Sequence, residues 1–358
     1  MRVAIDATPL IGSRTGIGVF VEELLRSFRD YIPDDAGYEV AQYTLSFKAG
    51  ITASAHGHWV PLPARASSYL WRTFGGPKIE RFVGNVDVVH GTNFVVPPSN
   101  VPRVISVHDL SFLNEARSFR NSNRRFDHSV KEAVNSGATV HTISEYVAGE
   151  IRDRYGANDV HVVYPGVEQK TIVPKTVQEH PTLLAVGATN KRKGLVDLIE
   201  AFHLVARHNE KVQLQLVGPA GNDEENLDQS IKKLPSEIRN RVHRLGFVPK
   251  EYRDQLINNA TILVHPSHYE GFGFPVLEAM ATATPVITTT GGALPEIAGE
   301  AASKVCPGDV EALAGAISEM LTNEELRKSF AMAGIDRART FTWQQTAETM
   351  FNLYASLP

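Results

Sequence analysis

Cysteine is nearly absent: Cys306 is the only one among 358 residues. A lone thiol closes no internal disulfide and rules out a thiolate cage for a metal. It leads us to expect a reducing, cytoplasmic setting. Long apolar runs are missing too. Asp6 interrupts the start, Met1-Arg2-Val3-Ala4-Ile5-Asp6, before a signal core can form. The longest charge-free stretches, Ala49–Ala64 and Ala279–Pro295, are rich in Thr, Gly, His or Pro. Neither resembles the ~20 apolar residues of a membrane span. Neither charge sign dominates: the formal net charge is −4, so no global footprint for a nucleic acid exists. Asp-x-Asp, HExxH and GxxxxGK[ST] do not occur, which argues against a dedicated metal site and against nucleotide binding through a P-loop. What remains is 42% hydrophobic and 21% charged, a globular balance at a length that suits two domains of roughly 150 residues.

Short apolar runs alternate with helical periods. Val3-Ala4-Ile5, Val86-Asp87-Val88-Val89, Val104-Ile105-Ser106-Val107, Thr139-Val140-His141 and Val160-His161-Val162-Val163 read as strands. After the first comes a loop with Gly12, Gly16 and Gly18, then a helical stripe of Val21, Leu24, Leu25 and Phe28. The grammar restarts near residue 182. Leu183–Val186, Val212–Leu216, Ile262–Val264, Val286–Thr288 and Ala302–Val305 read as strands, and Leu195, Leu198, Ile199 and Phe202 as one helix face. Continuous Val/Ile runs separated by helices predict parallel sheets covered on both faces. The fold expected is α/β: two doubly wound Rossmann-like units, 1–165 and 166–341, with Pro165 to Pro181 as the linker and 342–358 as a terminal helix. Ligands of such sheets sit at the carboxyl ends of strands, which with two units points to the cleft between them.

Three segments carry candidate chemistry. Gly16-Ile17-Gly18 opens a helix after strand one, where backbone N–H groups can approach an anion. As a dinucleotide fingerprint it fails, because Val21 stands at the third glycine. Lys191-Arg192-Lys193-Gly194 follows a strand and precedes a helix, so its cations suit a diphosphate; Lys193, beside the glycine, is the favoured one, and Lys191 fits a solvated loop. The strongest is Glu270-Gly271-Phe272-Gly273-Phe274-Pro275-Val276-Leu277-Glu278. Pro275 suits the first helical position. Glu270 would project from the loop and Glu278 from about one turn inside the helix, and a carboxylate can accept from both hydroxyls of a vicinal diol.

The E-x7-E spacing of Glu270 and Glu278, with the glycine loop, His108-Asp109, Tyr164-Pro165-Gly166-Val167 and Lys193-Gly194, resembles the GT4 family of retaining, nucleotide-sugar-dependent glycosyltransferases, over nearly the whole chain. The resemblance implies the GT-B architecture: two facing Rossmann-like domains, the last helix, about Trp343 to Leu357, crossing back to the first. By the same resemblance Glu278 would hold the donor ribose and Glu270 the donor hexose. The backbone of Gly271, Phe272 and Gly273, leading into Phe274, would touch sugar and phosphate. Lys193 would neutralise the leaving diphosphate, Gly16 and Gly18 would close over it, and His108 would face the transferred sugar. Many members carry Gly-Arg ahead of the lysine; here Ala188 follows Gly187, and Arg192 stands as the substitute charge.

The resemblance implies no cofactor and no metal, Lys and Arg replacing Mg²⁺. Ile5-Asp6-Ala7 and Val107-His108-Asp109-Leu110-Ser111-Phe112 look most like bacterial surface-polysaccharide mannosyltransferases, which favours GDP-mannose, with UDP-hexoses next. The partners expected are a nucleotide sugar and a glycan or lipid-linked acceptor, and no nucleic acid; no oligomeric state is specified. Tyr69, Leu70, Trp71 and Phe74 among Arg65, Arg72 and Lys78, and Phe112, Phe119 and Phe126 among Arg117, Arg120, Arg124 and Arg125, fit either core aromatics with solvated arginines or peripheral docking on the inner membrane face. His56 and His58 read as surface. An epimerase or phosphorylase on the same architecture, or a non-catalytic sugar-nucleotide binder, are the competing functions. A phosphorylase needs a cofactor lysine that no residue singles out, and a binder would need neither Glu270 nor His108.

Overall fold

The computed structural model describes residues 1–12, 16–33, 36–46, 56–61, 71, 75–113, 120–170 and 179–358. The chain divides into two units, Met1–Gly166 with Trp343–Pro358, and Val167–Thr342.

In the first unit seven parallel strands are described: β1 (Arg2–Asp6), β2 (Glu39–Leu45), β3 (His58–Val60), β4 (Val88–Gly91), β5 (Arg103–Ser106), β6 (Thr139–Thr142) and β7 (Val160–Val162). Their order is β3-β2-β1-β4-β5-β6-β7, so the winding reverses between β1 and β4. The helix Gly16–Tyr31 buries Phe20, Val21, Leu24 and Phe28, one face at helical spacing. Leu25 of the expected stripe is only half-buried. The terminal helix Trp343–Ser356 belongs to this unit and packs on Gly16–Tyr31, with Trp343 against Phe20 at 6.2 Å and Tyr354 against Phe28 at 6.0 Å between ring centroids.

A buried polar chain fastens that helix. His141 Nε2 faces the Val163 carbonyl at 3.5 Å, which can only accept. The proton order then follows. Ser106 Oγ donates to His141 Nδ1 (2.8 Å), His90 Nε2 donates to Ser106 Oγ (2.6 Å), and the Tyr354 hydroxyl donates to His90 Nδ1 (2.6 Å). Each imidazole is neutral with one donor and one acceptor used. Burial, aided by the neighbouring imidazoles, pulls His90 down to about 3 and His141 well below the ordinary histidine value.

In the second unit β8 (Thr182–Val186), β9 (Gln213–Val217), β10 (Val242–Gly246), β11 (Ile262–His265), β12 (Val286–Thr289) and β13 (Ser303–Val305) form a parallel sheet in the order β10-β9-β8-β11-β12-β13. The helix Leu195–Ala206 buries all four residues of its expected face, and Leu198 and Phe202 lie wholly within the core of this unit. Each such side chain contributes about 1.5–3 kcal/mol.

Strands β2, β3 and β10 have no counterpart among the expected ones. β2 and β10 mix charged and polar residues with apolar ones, so neither shows a continuous apolar run. His58 opens β3, yet both His56 and His58 are exposed. Phe112 and Phe126 pack with Phe94 at 5.4 and 5.2 Å, the core reading of that segment. Arg65, Tyr69, Leu70, Arg72, Phe74, Arg117, Phe119 and linker residues 171–178 lie outside the described residues, as do the side chains of Arg120 and Arg124.

Candidate functional site

The second sheet reverses its winding between β8 and β11, which pair directly through Leu183–Ile262 and Leu184–Leu263. The loops leaving these two strands therefore meet at the carboxyl end of the sheet. From β8 comes a 3-10 turn, Lys191–Lys193, closed by Gly194 at φ 64°. A Cβ on Gly194 would stand 2.2 Å from the Pro266 carbonyl oxygen, so only glycine lets this turn lie against the loop after β11. The His268 amide donates to the Arg192 carbonyl at 2.7 Å and stitches the two loops together.

That contact delivers both cations to Glu270. Lys193 Nζ and Ser267 Oγ (2.8 Å) donate to Oε1, and Arg192 Nη1 donates to Oε2 at 2.8 Å and to the Tyr269 carbonyl at 3.0 Å. His265, the last residue of β11, donates from Nε2 to Oε1 at 2.9 Å. Glu270 is buried; burial alone would push its carboxyl up, but Lys193, the His265 hydrogen bond and Arg192 hold it well below the ordinary glutamate value. Burial keeps His265 below its ordinary value, hence neutral near pH 7. Two cations thus face one carboxylate. Among the described residues Oε1 takes three donors and Oε2 one, so of the two oxygens Oε2 has room for a further donor. Lys191 is exposed, as its solvated-loop reading requires.

Gly273, at φ 111°, caps the helix Phe274–Met280; a Cβ there would press within 2.8 Å of Leu294. The helix begins at Phe274, which corrects the expected place of Pro275: it occupies the second helical position, since Gly273 ends the loop one residue earlier. Gly271 and Phe272 are buried, the Phe272 ring lying 5.0 Å from Phe274 and 6.0 Å from Phe341. Glu278, on the second turn, receives Arg253 Nη2 on Oε1 at 2.8 Å. Its enclosure outweighs Arg253 and leaves it above the ordinary glutamate value.

In the first unit, His108 follows β5 and is buried. Its Nε2 donates to the Thr92 carbonyl at 2.8 Å, so the neutral ring keeps Nδ1 as an acceptor. Burial lowers its pKa, against the Thr92 bond and Asp109. Phe20 meets the ring edge-on at 5.2 Å. The hydroxyl of Thr92 donates to the Asp6 carbonyl at 2.8 Å, joining the ends of β1, β4 and β5. Gly16 is exposed at the first position of its helix, and Gly18 is buried in the first turn.

The structure brings Lys193, Arg192 and Glu270 together, joins Glu278 to Arg253, and leaves His108 on the other unit. His265, Ser267 and Arg253 join the two glutamates from outside the sequence motifs. His265 sits at the end of the run Ile262-Leu263-Val264, where a histidine among buried apolar residues is itself a signal. Among the described residues no cluster of His, Cys, Asp and Glu is arranged to hold a metal, and no helix is long and apolar enough to cross a membrane.

The family described as Glycosyltransferase Family 4 matches residues 14–170, and Glycosyl transferases group 1 matches residues 168–337. O-antigen chain mannosyltransferase B of Escherichia coli is 27% identical over 285 residues, 75% of this chain and 74% of that one. The MMP alpha-(1->4)-mannosyltransferase of Mycolicibacterium hassiacum is 31% identical over 225 residues, 60% of this chain and 53% of that one. Among solved structures, sucrose-phosphate synthase from Thermosynechococcus elongatus superposes with a TM-score of 0.75 at 20% identity, covering 99% of this chain and 98% of that one. The glycosyltransferase WaaG gives 0.70 at 17% identity, over 99% of this chain and 100% of that one.

Proposed function

Because the chain belongs to the family 4, group 1 glycosyltransferases and has their GT-B architecture, we propose that it transfers a hexose from a nucleotide sugar to a glycan or lipid-linked acceptor, with retention of anomeric configuration and without a metal. Mannose from GDP-mannose is the favoured donor, in line with the two mannosyltransferases among its relatives. The observation that carries the reading is the grip of Lys193 and Arg192 on buried Glu270 at the sheet's switch point.

The chemistry follows from that grip. When the sugar–phosphate bond breaks, negative charge grows on the diphosphate, and the cations beside Glu270 stabilise it. Glu270 Oε2 accepts from a hexose hydroxyl. His108, with Nε2 committed to Thr92, offers Nδ1 to the transferred sugar. Glu278 accepts from the ribose, the backbone of Gly271, Phe272 and Gly273 leading into Phe274 lies along sugar and phosphate, and Gly16 and Gly18 approach the diphosphate. The departing phosphate helps deprotonate the acceptor, which attacks the face it leaves. The protein works in the cytoplasm, peripheral to the inner membrane face when the acceptor is lipid-linked.

Labelled GDP-mannose and UDP-hexoses, each with and without acceptor extract, test the reading. Label in a new product supports transfer. Isomerised donor would make the protein an epimerase, and binding without turnover would make it a non-catalytic binder.

A further inference from the structure

Glu278 is half of an ion pair whose other half no sequence motif marks. Arg253, on the helix Lys250–Asn259, donates from Nη2 to Glu278 Oε1 at 2.8 Å and to Asp254 Oδ1 at 3.2 Å. Asp254 is fixed in turn by Lys170 at 2.6 Å and by Lys250 at 3.1 Å, and Lys250 also meets Glu168 at 2.9 Å. The one nitrogen Nη2 of Arg253 thus bridges the carboxylates of Asp254 and Glu278. Among the described residues its buried Nε has no partner, so this placement does not serve Arg253's own hydrogen bonding. Among the described residues no hydrogen bond reaches Glu278 Oε2.

Resting on the donor reading above, we infer that Arg253 is a positioning residue for Glu278: it grips one carboxylate oxygen and leaves the other for the ribose of the nucleotide sugar. A second consequence is electrostatic. Burial, aided by Asp254, pushes the Glu278 carboxyl up, while Arg253, Lys250 and Lys170 pull it down. Arg253, Asp254, Lys250 and Lys170 are the charged groups that weigh most on it. Its own short helix carries no other titratable residue, and the helix Glu324–Arg339 meets that helix through Gly334 against Met280. Arg253 favours the ionised form of Glu278 against burial, and an ionised carboxylate is the form that accepts from both hydroxyls of a diol.

The test compares wild type with Arg253→Gln, Arg253→Lys and Glu278→Gln across a pH series from mildly acid to mildly alkaline, because burial moves the Glu278 carboxyl above its ordinary range. The Glu278 carboxyl carbon, assigned by its disappearance in Glu278→Gln, is titrated by NMR in the ligand-free protein. Calorimetry without acceptor measures binding of GDP-mannose and UDP-glucose, whose diphosphate esters do not titrate there. In Arg253→Gln the carboxyl should titrate about one pH unit higher. Nucleotide-sugar affinity should be about tenfold weaker at the acid end, with a smaller loss at the alkaline end. Arg253→Lys should restore most of both, and Glu278→Gln should bind with no such pH dependence. An unmoved carboxyl titration overturns the proposal, as does an affinity lowered equally at every pH or unchanged while the titration moves. Wild-type protein that binds neither nucleotide sugar overturns the donor reading and this role with it, a result seen in the wild type alone.

Discussion

Lys193 and Glu270 stand 77 positions apart in sequence and form an ion pair whose carboxylate is almost wholly buried. The pair exists because β8 and β11 are neighbours at the reversal of the sheet, and because Gly194 lets the Lys193 turn rest on the Pro266 backbone. Arg192 and His265 complete it, so the carboxylate is ordered before any ligand arrives. Charge already oriented needs no reorganisation during reaction.

Replacing Lys193 by alanine should lower kcat more than it raises the donor KM, by about 10²–10³ in kcat, because the leaving diphosphate gains charge in the transition state. Steady-state kinetics decide it. A raised KM with kcat unchanged would reduce Lys193 to ground-state binding.

His108→Ala and Glu270→Ala should each slow transfer strongly while nucleoside diphosphate affinity stays nearly intact. If both hold one hexose, the double variant should lose less than the sum of the single losses in free energy. Full additivity would separate their roles. An inverted product by NMR, or a glycosyl adduct on Glu270, would falsify the retaining mechanism without a protein nucleophile.

With Lys193 and Arg192 as counter-charge, EDTA should leave initial rates within about twofold, well under the ~1.4 kcal/mol of a tenfold change. Rates abolished by EDTA and restored by Mg²⁺ or Mn²⁺ would put a metal in their place.

The first unit should lose stability on mild acidification. His90 titrates near 3 when folded and near 6.5 when unfolded, so the unfolded chain binds the proton first as pH falls. That costs about 2 kcal/mol at about pH 5, and His141 adds to it. Asp6 opposes them: burial raises its carboxyl to about 6, so acidification favours the folded form by about 1.4 kcal/mol at the same pH. Asp6→Asn should therefore steepen the acid loss. All three tryptophans, Trp59, Trp71 and Trp343, lie in this unit, so urea unfolding followed by tryptophan fluorescence reports it alone. Stability that is flat or rising from pH 7 to pH 5 would contradict the neutral histidine chain.

The sequence alone determined the alternation of strands and helices, the restart of that pattern near residue 182, and every feature contained in one short segment. Continuous apolar runs mark buried parallel strands wherever they occur, and Glu270 to Glu278 carries its carboxylates and glycines in contiguous positions. Only the tertiary structure decided which side chains those segments meet. β2, β3 and β10 owe their strand state to neighbours across the sheet, because pairing satisfies backbone groups whatever the side chains are. His265, Ser267 and Arg253 became partners of the two glutamates through strand order and helix packing. Hydrogen bonds and ion pairs act over a few ångströms of space, and chain spacing sets such distances only within a turn or two of helix or loop.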